Sequence, residues 1–110
     1  MDKNTMLLVM VSCEDSAQAE RIGKELLKKK IAACVQVVSD VSSFYLWPPI
    51  KQHINITEES ILLIKTLESK WSALEREIHT LHSYKNPEII ALPVTHVSPT
   101  YLSWIQNELK

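Results

Sequence analysis

Two long apolar-rich arms meet at Pro48-Pro49, and that pairing limits the folding of this 110-residue chain more than any other feature. Ile31 to Trp47 reads as one strand, with Val35, Val37, Val41, Tyr45 and Trp47 sharing a face at even spacing. Pro48-Pro49 cannot continue a hydrogen-bonded ladder and marks the turn. Ile54 to Thr66 returns, with Ile54, Ile56, Leu62 and Ile64 on one face and Ile61 and Leu63 on the other. Arms of about 13–17 residues reach ~45 Å or more at ~3.3 Å per residue, whereas an ordinary strand has about 5–6 residues. A chain of this size builds one modest core, so the hairpin is expected to project past it. Phe44, Tyr45, Leu46 and Trp47 lie near its end. Exposed edges and apolar patches pair with something. An oligomer follows from this, with Tyr45 and Trp47 expected at the interface.

The remaining elements frame that hairpin within one domain spanning residues 1–110. Thr5–Ser12 is an apolar run of strand length and reads as a buried strand. Asp15 is a suitable N-cap for a helix whose apolar stripe is Ala19, Ile22, Gly23, Leu26 and Leu27, with Lys28-Lys29-Lys30 at the C-terminal end where positive charge is favoured. Gly23 inside the stripe points to close helix–sheet packing. Ser69 is the expected N-cap of a second helix, with Trp71, Leu74, Ile78 and Leu81 inward. Glu88–Val97 reads as a fourth strand, and Pro93 within it demotes it to an edge. Ser98-Pro99 opens a last helix, with the stripe Leu102, Ile105 and Leu109. The order βαββαβ plus a C-terminal helix is that of an α+β ferredoxin-like sandwich.

Charge and composition narrow the function. Twelve Lys and Arg against thirteen Asp and Glu give a net charge of −1, which makes no basic field for nucleic acid. The single glycine excludes a glycine-rich phosphate loop or dinucleotide fingerprint. The longest apolar run, Met6–Val11, is far below the ~20 residues a membrane span needs. It is also shorter than a signal-peptide core, so the expected compartment is the cytoplasm. Cys13 and Cys34, without a C-x-x-C, read as two free thiols in a reducing compartment.

Two places carry chemistry. Glu75, His79 and His82 stand at i, i+4 and i+7 on the second helix. At ~100° per residue, His82 falls at the boundary of the apolar stripe and His79 faces water. A His pair near a carboxylate can hold a transition metal, and imidazoles also suit a helix C-terminus. His82-Ser83-Tyr84 then leads into Asn86-Pro87-Glu88, which sets an imidazole, a phenol and a carboxylate around one tight connection. Lys65, at the end of Ile61–Ile64 with Glu59 upstream, is either a surface lysine or an anion-binding or intersubunit group. Cys34 reads as a small buried hydrophobe. Trp104, Tyr45 and Trp47 read as core or interface rather than a base-stacking platform, since basic partners are lacking.

Taken in order, these residues resemble the CutA family of divalent-cation tolerance proteins over almost the whole chain. Ile31-Ala32-Ala33-Cys34-Val35 is similar to the family's L-A-A-C-V, and Ser43–Trp47 to its S-x-Y-x-W. Lys65-Thr66 matches K-T, with Glu59 as the acidic residue before it. His82–Ile89 resembles H-P-Y-x-x-P-E-I. Pro93-Val94 and Tyr101-Leu102-Ser103-Trp104-Ile105 resemble the tail motifs. The resemblance implies a ferredoxin-like subunit in a tight homotrimer, similar to the PII signalling proteins. It implies a link to copper and other divalent cations in bacteria, protein binding in animals, and no established reaction. The expectation is therefore a non-enzymatic divalent-cation tolerance protein, with no required cofactor but able to take Cu(II) or another divalent cation. The candidate metal ligands are His82 and Glu88, with Cys13 third. One alternative is a PII-like sensor holding a small molecule in intersubunit clefts through Lys65, Tyr84 and Trp104. Another is an assembly module without a ligand. Three departures stand out. Pro48-Pro49 replaces a glycine-lysine turn in a somewhat longer tip. Val11 stands where some members carry a proposed copper-binding Cys, two residues before Cys13. Ser83 and Val97 stand where the family has Pro and often Gly.

Overall fold

The computed structural model describes residues 1–50 and 53–110. Its elements are β1 (Met6–Cys13), α1 (Ser16–Lys28), β2 (Cys34–Leu46), β3 (Ile54–Leu67), a 3-10 turn (Glu68–Lys70), α2 (Trp71–Leu81), β4 (Ile89–Pro93) and α3 (Pro99–Glu108). The strands form one antiparallel sheet in the order β2-β3-β1-β4. This is the ferredoxin-like α+β layout, and β4 is an edge as Pro93 requires. The longer tip lies partly on Lys51 and Gln52, which are outside the described residues.

Strand alternation divides the core in two. Leu7, Val9 and Val11 of β1 lie across from Thr66, Ile64 and Leu62 of β3, and this face is covered by α1 and α2 through Ile22, Leu26, Leu74 and Ile78. Met6 and Leu67 face the other way and pack against Ile105 and Leu109 of α3. The remainder of that second face has no helix over it. Leu8, Met10, Ile61 and Leu63 are half-buried, and Ile90 and Leu92 are 47% and 51% exposed.

Local chemistry explains the element ends. The Asp15 carboxylate accepts the Gln18 N–H at 2.8 Å and caps α1. Lys30 turns the chain with φ 55°, so Ile31–Ala33 form a connection and β2 begins only at Cys34. Cys34 is half-buried. Ser69 does not cap α2: the 3-10 turn carries the chain into the helix, and Lys70 stands at the cap position without a side-chain bond. The fourth strand is only Ile89–Pro93; one more bond, from the Val94 N–H to the Met6 carbonyl at 2.9 Å, follows it before the chain turns toward α3. Pro99 occupies the first turn of α3, as expected.

β2 departs most from its expected pattern. Val38 pairs with Ile61, but Val41 pairs with Glu59, so Ser39 and Asp40 together oppose Ser60. This two-against-one bulge moves β2 out of step by one residue. Val35 and Val37 lie on the helix-covered face across from Ile64 and Leu62, whereas Val41, Ser43 and Tyr45 lie on the other face across from Glu59, Thr57 and Asn55. The five evenly spaced residues therefore do not share one face. Beyond the bulge, Phe44 pairs with Ile56 and Leu46 with Ile54 on the continuation of the helix side, past the end of the helices. Asp40 takes φ 59°, a conformation Asp tolerates better than most residues. The Ser16 hydroxyl bonds both Ser39 (2.6 Å) and Ser60 (2.9 Å), tying the bulge to the first turn of α1. The ribbon past the bulge extends the molecule to 46 Å along its long axis, against 26 and 23 Å across.

Gly23 is where α1 comes closest to the sheet. A Cβ there would meet Val35 Cγ2 at 2.9 Å and Leu62 Cδ1 at 3.3 Å. Gly23→Ala gains about 1 kcal/mol of helix propensity but overpacks two branched side chains at a cost of about 1–3 kcal/mol. The expected result is a net loss of about 1 kcal/mol in urea unfolding, and a clear gain in stability would show that the contact is slack.

Candidate functional site

α2 ends at His82, whose backbone (φ −81°, ψ 145°) leaves the helix in an extended conformation. The side chain is 9% exposed. Its Nδ1 lies 3.1 Å from the Tyr84 N–H, a group that only donates, so Nδ1 is the acceptor. The ring proton is then on Nε2, which donates to the Ser12 carbonyl at 2.7 Å. Ser83 is fixed from the other side: Gln18 Nε2 donates to its hydroxyl at 2.7 Å, and Gln18 Oε1 accepts the Glu14 N–H at 2.8 Å. Tyr84 stacks at a tilt on the His82 ring, with centroids 4.8 Å apart, and its hydroxyl donates to Glu59 Oε2 at 2.9 Å. Burial, and then the bond to the Glu59 carboxylate, hold the phenol above the ordinary tyrosine range.

These bonds lay the connection 82–88 across the end of β1 and the middle of β3, at the base of the projecting ribbon. Between them opens a groove of about 820 Å³ whose lining includes Tyr45, Trp47, Glu59, Tyr84, Lys85 and Glu88. The Tyr45 hydroxyl is bonded to Thr57 Oγ1 at 2.8 Å.

The structure separates the expected metal ligands. Both His82 nitrogens are engaged, so neither has a lone pair free for a cation. Cys13 does share its face with Val11, since β1 persists through it, but that face is the one closed by helices. Its thiol is fully buried, and burial, followed by Glu59 and Asp15, pushes it up to about 12. Glu88 alone of the three is exposed, on the rim of the groove. Among the described residues no three His, Cys, Asp or Glu side chains converge as a metal site. His79 faces water, 3.9 Å from Glu75. The alternative set is divided as well. Lys65 Nζ sits 5.6 Å from the Tyr101 ring centre, and Tyr101 stacks on Trp104 at 5.8 Å, at the α3 end of the sheet. Tyr84 is at the Glu59 end, six strand residues or about 20 Å away.

Gln18 is the functional side chain that spacing did not single out. A polar residue one turn before Ile22 on the inward side of α1 was the available signal, and its partners show why it is buried there.

The chain matches the family model described as CutA1 divalent ion tolerance protein over residues 7–108. It belongs to the CutA family. A CutA homolog from Xenopus laevis is 37% identical over 95 residues, which is 86% of this chain and 61% of that protein, so the chain spans less than two-thirds of that relative's length. A solved CutA structure from Xylella fastidiosa superposes with a TM-score of 0.90 at 35% identity, covering 96% of this chain and 99% of that one. The structure described as a periplasmic divalent cation tolerance protein CutA, from Archaeoglobus fulgidus, gives 0.89 at 30% identity over 96% and 99%.

The two thiols differ in a testable way. Cys34, half-buried, reacts with iodoacetamide in the folded protein, whereas Cys13 reacts only on unfolding. The fold keeps the Cys13 proton up to about 12, while an unfolded thiol loses it from 9.0. Between those values the unfolded chain binds fewer protons, so stability falls as pH rises, and Tyr84 adds in the same direction above 10.0. The check is chemical denaturation at pH 8, 9.5 and 11. The Cys13→Ala variant should lose part of the decline, and an identical profile would contradict the assignment.

Proposed function

We propose that this protein is a non-enzymatic cation-tolerance protein of the cytoplasm that works as a homotrimer and responds to copper or another divalent cation. The observation that carries this reading is apolar surface that one chain cannot cover. Phe44, Leu46, Ile54 and Ile56 are 64–73% exposed on one side of the ribbon, and Ile90 and Leu92 are open on the sheet. Patches of this kind mark association surfaces. Tyr45 and Trp47, expected at the interface, are less exposed and line the groove, which Phe44 and Leu46 also border. On this reading a cation is met by groups from more than one subunit, with Glu88 as this chain's carboxylate and His82 supporting the loop that carries it. The divided set of Lys65, Trp104 and Tyr84 supports a second reading, in which neighbouring subunits bring the two ends of their sheets together around a small ligand at the groove. The family's name supports the link to divalent cations. Domain or partner functions of the longer relatives lie beyond the length matched.

Light scattering after size exclusion tests the assembly. The expected mass is three times the 12.6 kDa chain at low micromolar concentration. Ile56→Asp should break the trimer while leaving a folded monomer, because the side chain lies outside the chain's own core. A wild-type monomer would overturn the reading. In calorimetric titration with Cu(II) at pH 7.5, Glu88→Ala should weaken binding by about tenfold. His82→Ala should instead lower the melting temperature. Loss of binding in His82→Ala at unchanged melting would return His82 to the role of ligand.

A further inference from the structure

We infer that the groove at the base of the ribbon binds a small organic cation, an alkylated ammonium group carried on an apolar body. This rests on the groove being a ligand site, the second reading above, and names what the site would take.

The lining supports a cation by two independent features. The first is aromatic surface. Tyr45, Trp47 and Tyr84 all border the groove, and the two phenols already have partners in Thr57 and Glu59. A ligand need not satisfy their hydroxyls, so what the three rings offer is π surface. Rings of this kind attract a cation within about 6 Å of the centroid, and Trp attracts it best. The second feature is charge. Glu59 and Glu88 outnumber Lys85 in the groove, and the adjoining cleft at the bulge is bordered by Glu14, Asp15, Asp40 and Glu58 with no basic side chain among its lining residues. Only one oxygen of Glu59 is bonded by Tyr84; the other has no hydrogen-bond partner among the described residues. An anion entering here meets repulsion, which sets phosphate and nucleotide ligands aside.

Within one chain the same lining does not complete the shell of a bare metal ion, which on the first reading needs groups from neighbouring subunits. Hard divalent cations need several oxygen ligands in a fixed shell, and borderline ones need nitrogen or sulfur donors. No three such groups converge among the described residues. An alkylated ammonium needs none: its charge is spread over methyl groups that pack against rings, and a single carboxylate nearby is enough. The groove's size of about 820 Å³ lies within the range of small-molecule sites. Lys85 is the built-in competitor, since it lines the same groove.

The test uses the full chain in its native assembly, titrated calorimetrically at low salt with 4-hydroxyphenyl-trimethylammonium. Its neutral isostere, 4-tert-butylphenol, is run alongside. The cation should bind about tenfold tighter than the isostere. Glu59→Gln, which keeps an acceptor for Tyr84, should weaken the cation about fivefold or more without changing isostere binding. Lys85→Gln should tighten the cation, and raising salt should weaken it. Equal binding of the two probes, no binding of either, or an unchanged affinity in Glu59→Gln overturns the inference. Light scattering on the same samples separates the two claims: an intact trimer that does not bind refutes this inference alone, and a monomer that binds refutes the assembly alone.

Discussion

The two-against-one bulge at Ser39 and Asp40 decides what each side of the projecting ribbon presents. In a strand, one added residue sends every later side chain to the opposite face. Before the bulge, β2 gives Val35 and Val37 to the core beneath α1 and α2. After it, the same helix-side face carries Phe44 and Leu46, and the opposite face carries Tyr45. Without the added residue, Tyr45 would continue the face of Val37, and the phenol would lie across the ribbon from the groove it now borders.

The bulge is held by contacts that also organise the site. Ser16 bonds it to α1 through Ser39 and Ser60. The same end of α1 supplies Gln18, which fixes Ser83, and Glu14, whose N–H satisfies Gln18. His82 and Tyr84 complete the connection by bonding Ser12 near the end of β1 and Glu59 within β3. The N-terminal turn of α1 is thus the anchor from which both walls of the groove are positioned: the ribbon on one side and the 82–88 connection on the other. The His82–Ser12 bond is buried and the others are part-buried or exposed, so the desolvation cost of an unpaired group falls mainly on the His82 end of the network.

How much of this was legible depended on whether the deciding partner was near in sequence. β3 kept its alternation over its whole length, so the assignment of Ile54, Ile56, Leu62 and Ile64 to one face was sound. In β2 the same reasoning failed after Val38, because a bulge has no periodic signature. The polar pair Ser39-Asp40 was no distinct trace of it, because Gln36, Ser42 and Ser43 are polar in the same strand. The position of His82 at the edge of the α2 stripe followed from helix geometry, but the use of its two nitrogens did not. Ser12 lies 70 residues away, and only the folded sheet brings its carbonyl to the ring. Cys13 shares the face of Val11 only if β1 runs through it, which the sequence left open and the strand's extent decides, and which face the helices cover is a tertiary fact. Ser69 had the chemistry of a cap, and the 3-10 turn carried the chain past it.

The central claim is that the parity set at the bulge, rather than apolar content near the tip, directs assembly. Deleting Asp40 removes the extra residue and keeps every aromatic and aliphatic side chain of the ribbon, while Asp40→Gly keeps the bulge and suits its φ of 59°. Sedimentation equilibrium of the two variants, with far-ultraviolet circular dichroism to confirm the folded core, compares them directly. The account predicts a trimer for Asp40→Gly and a folded but dissociated protein for the deletion. A deletion variant that assembles as tightly as the wild type would contradict it.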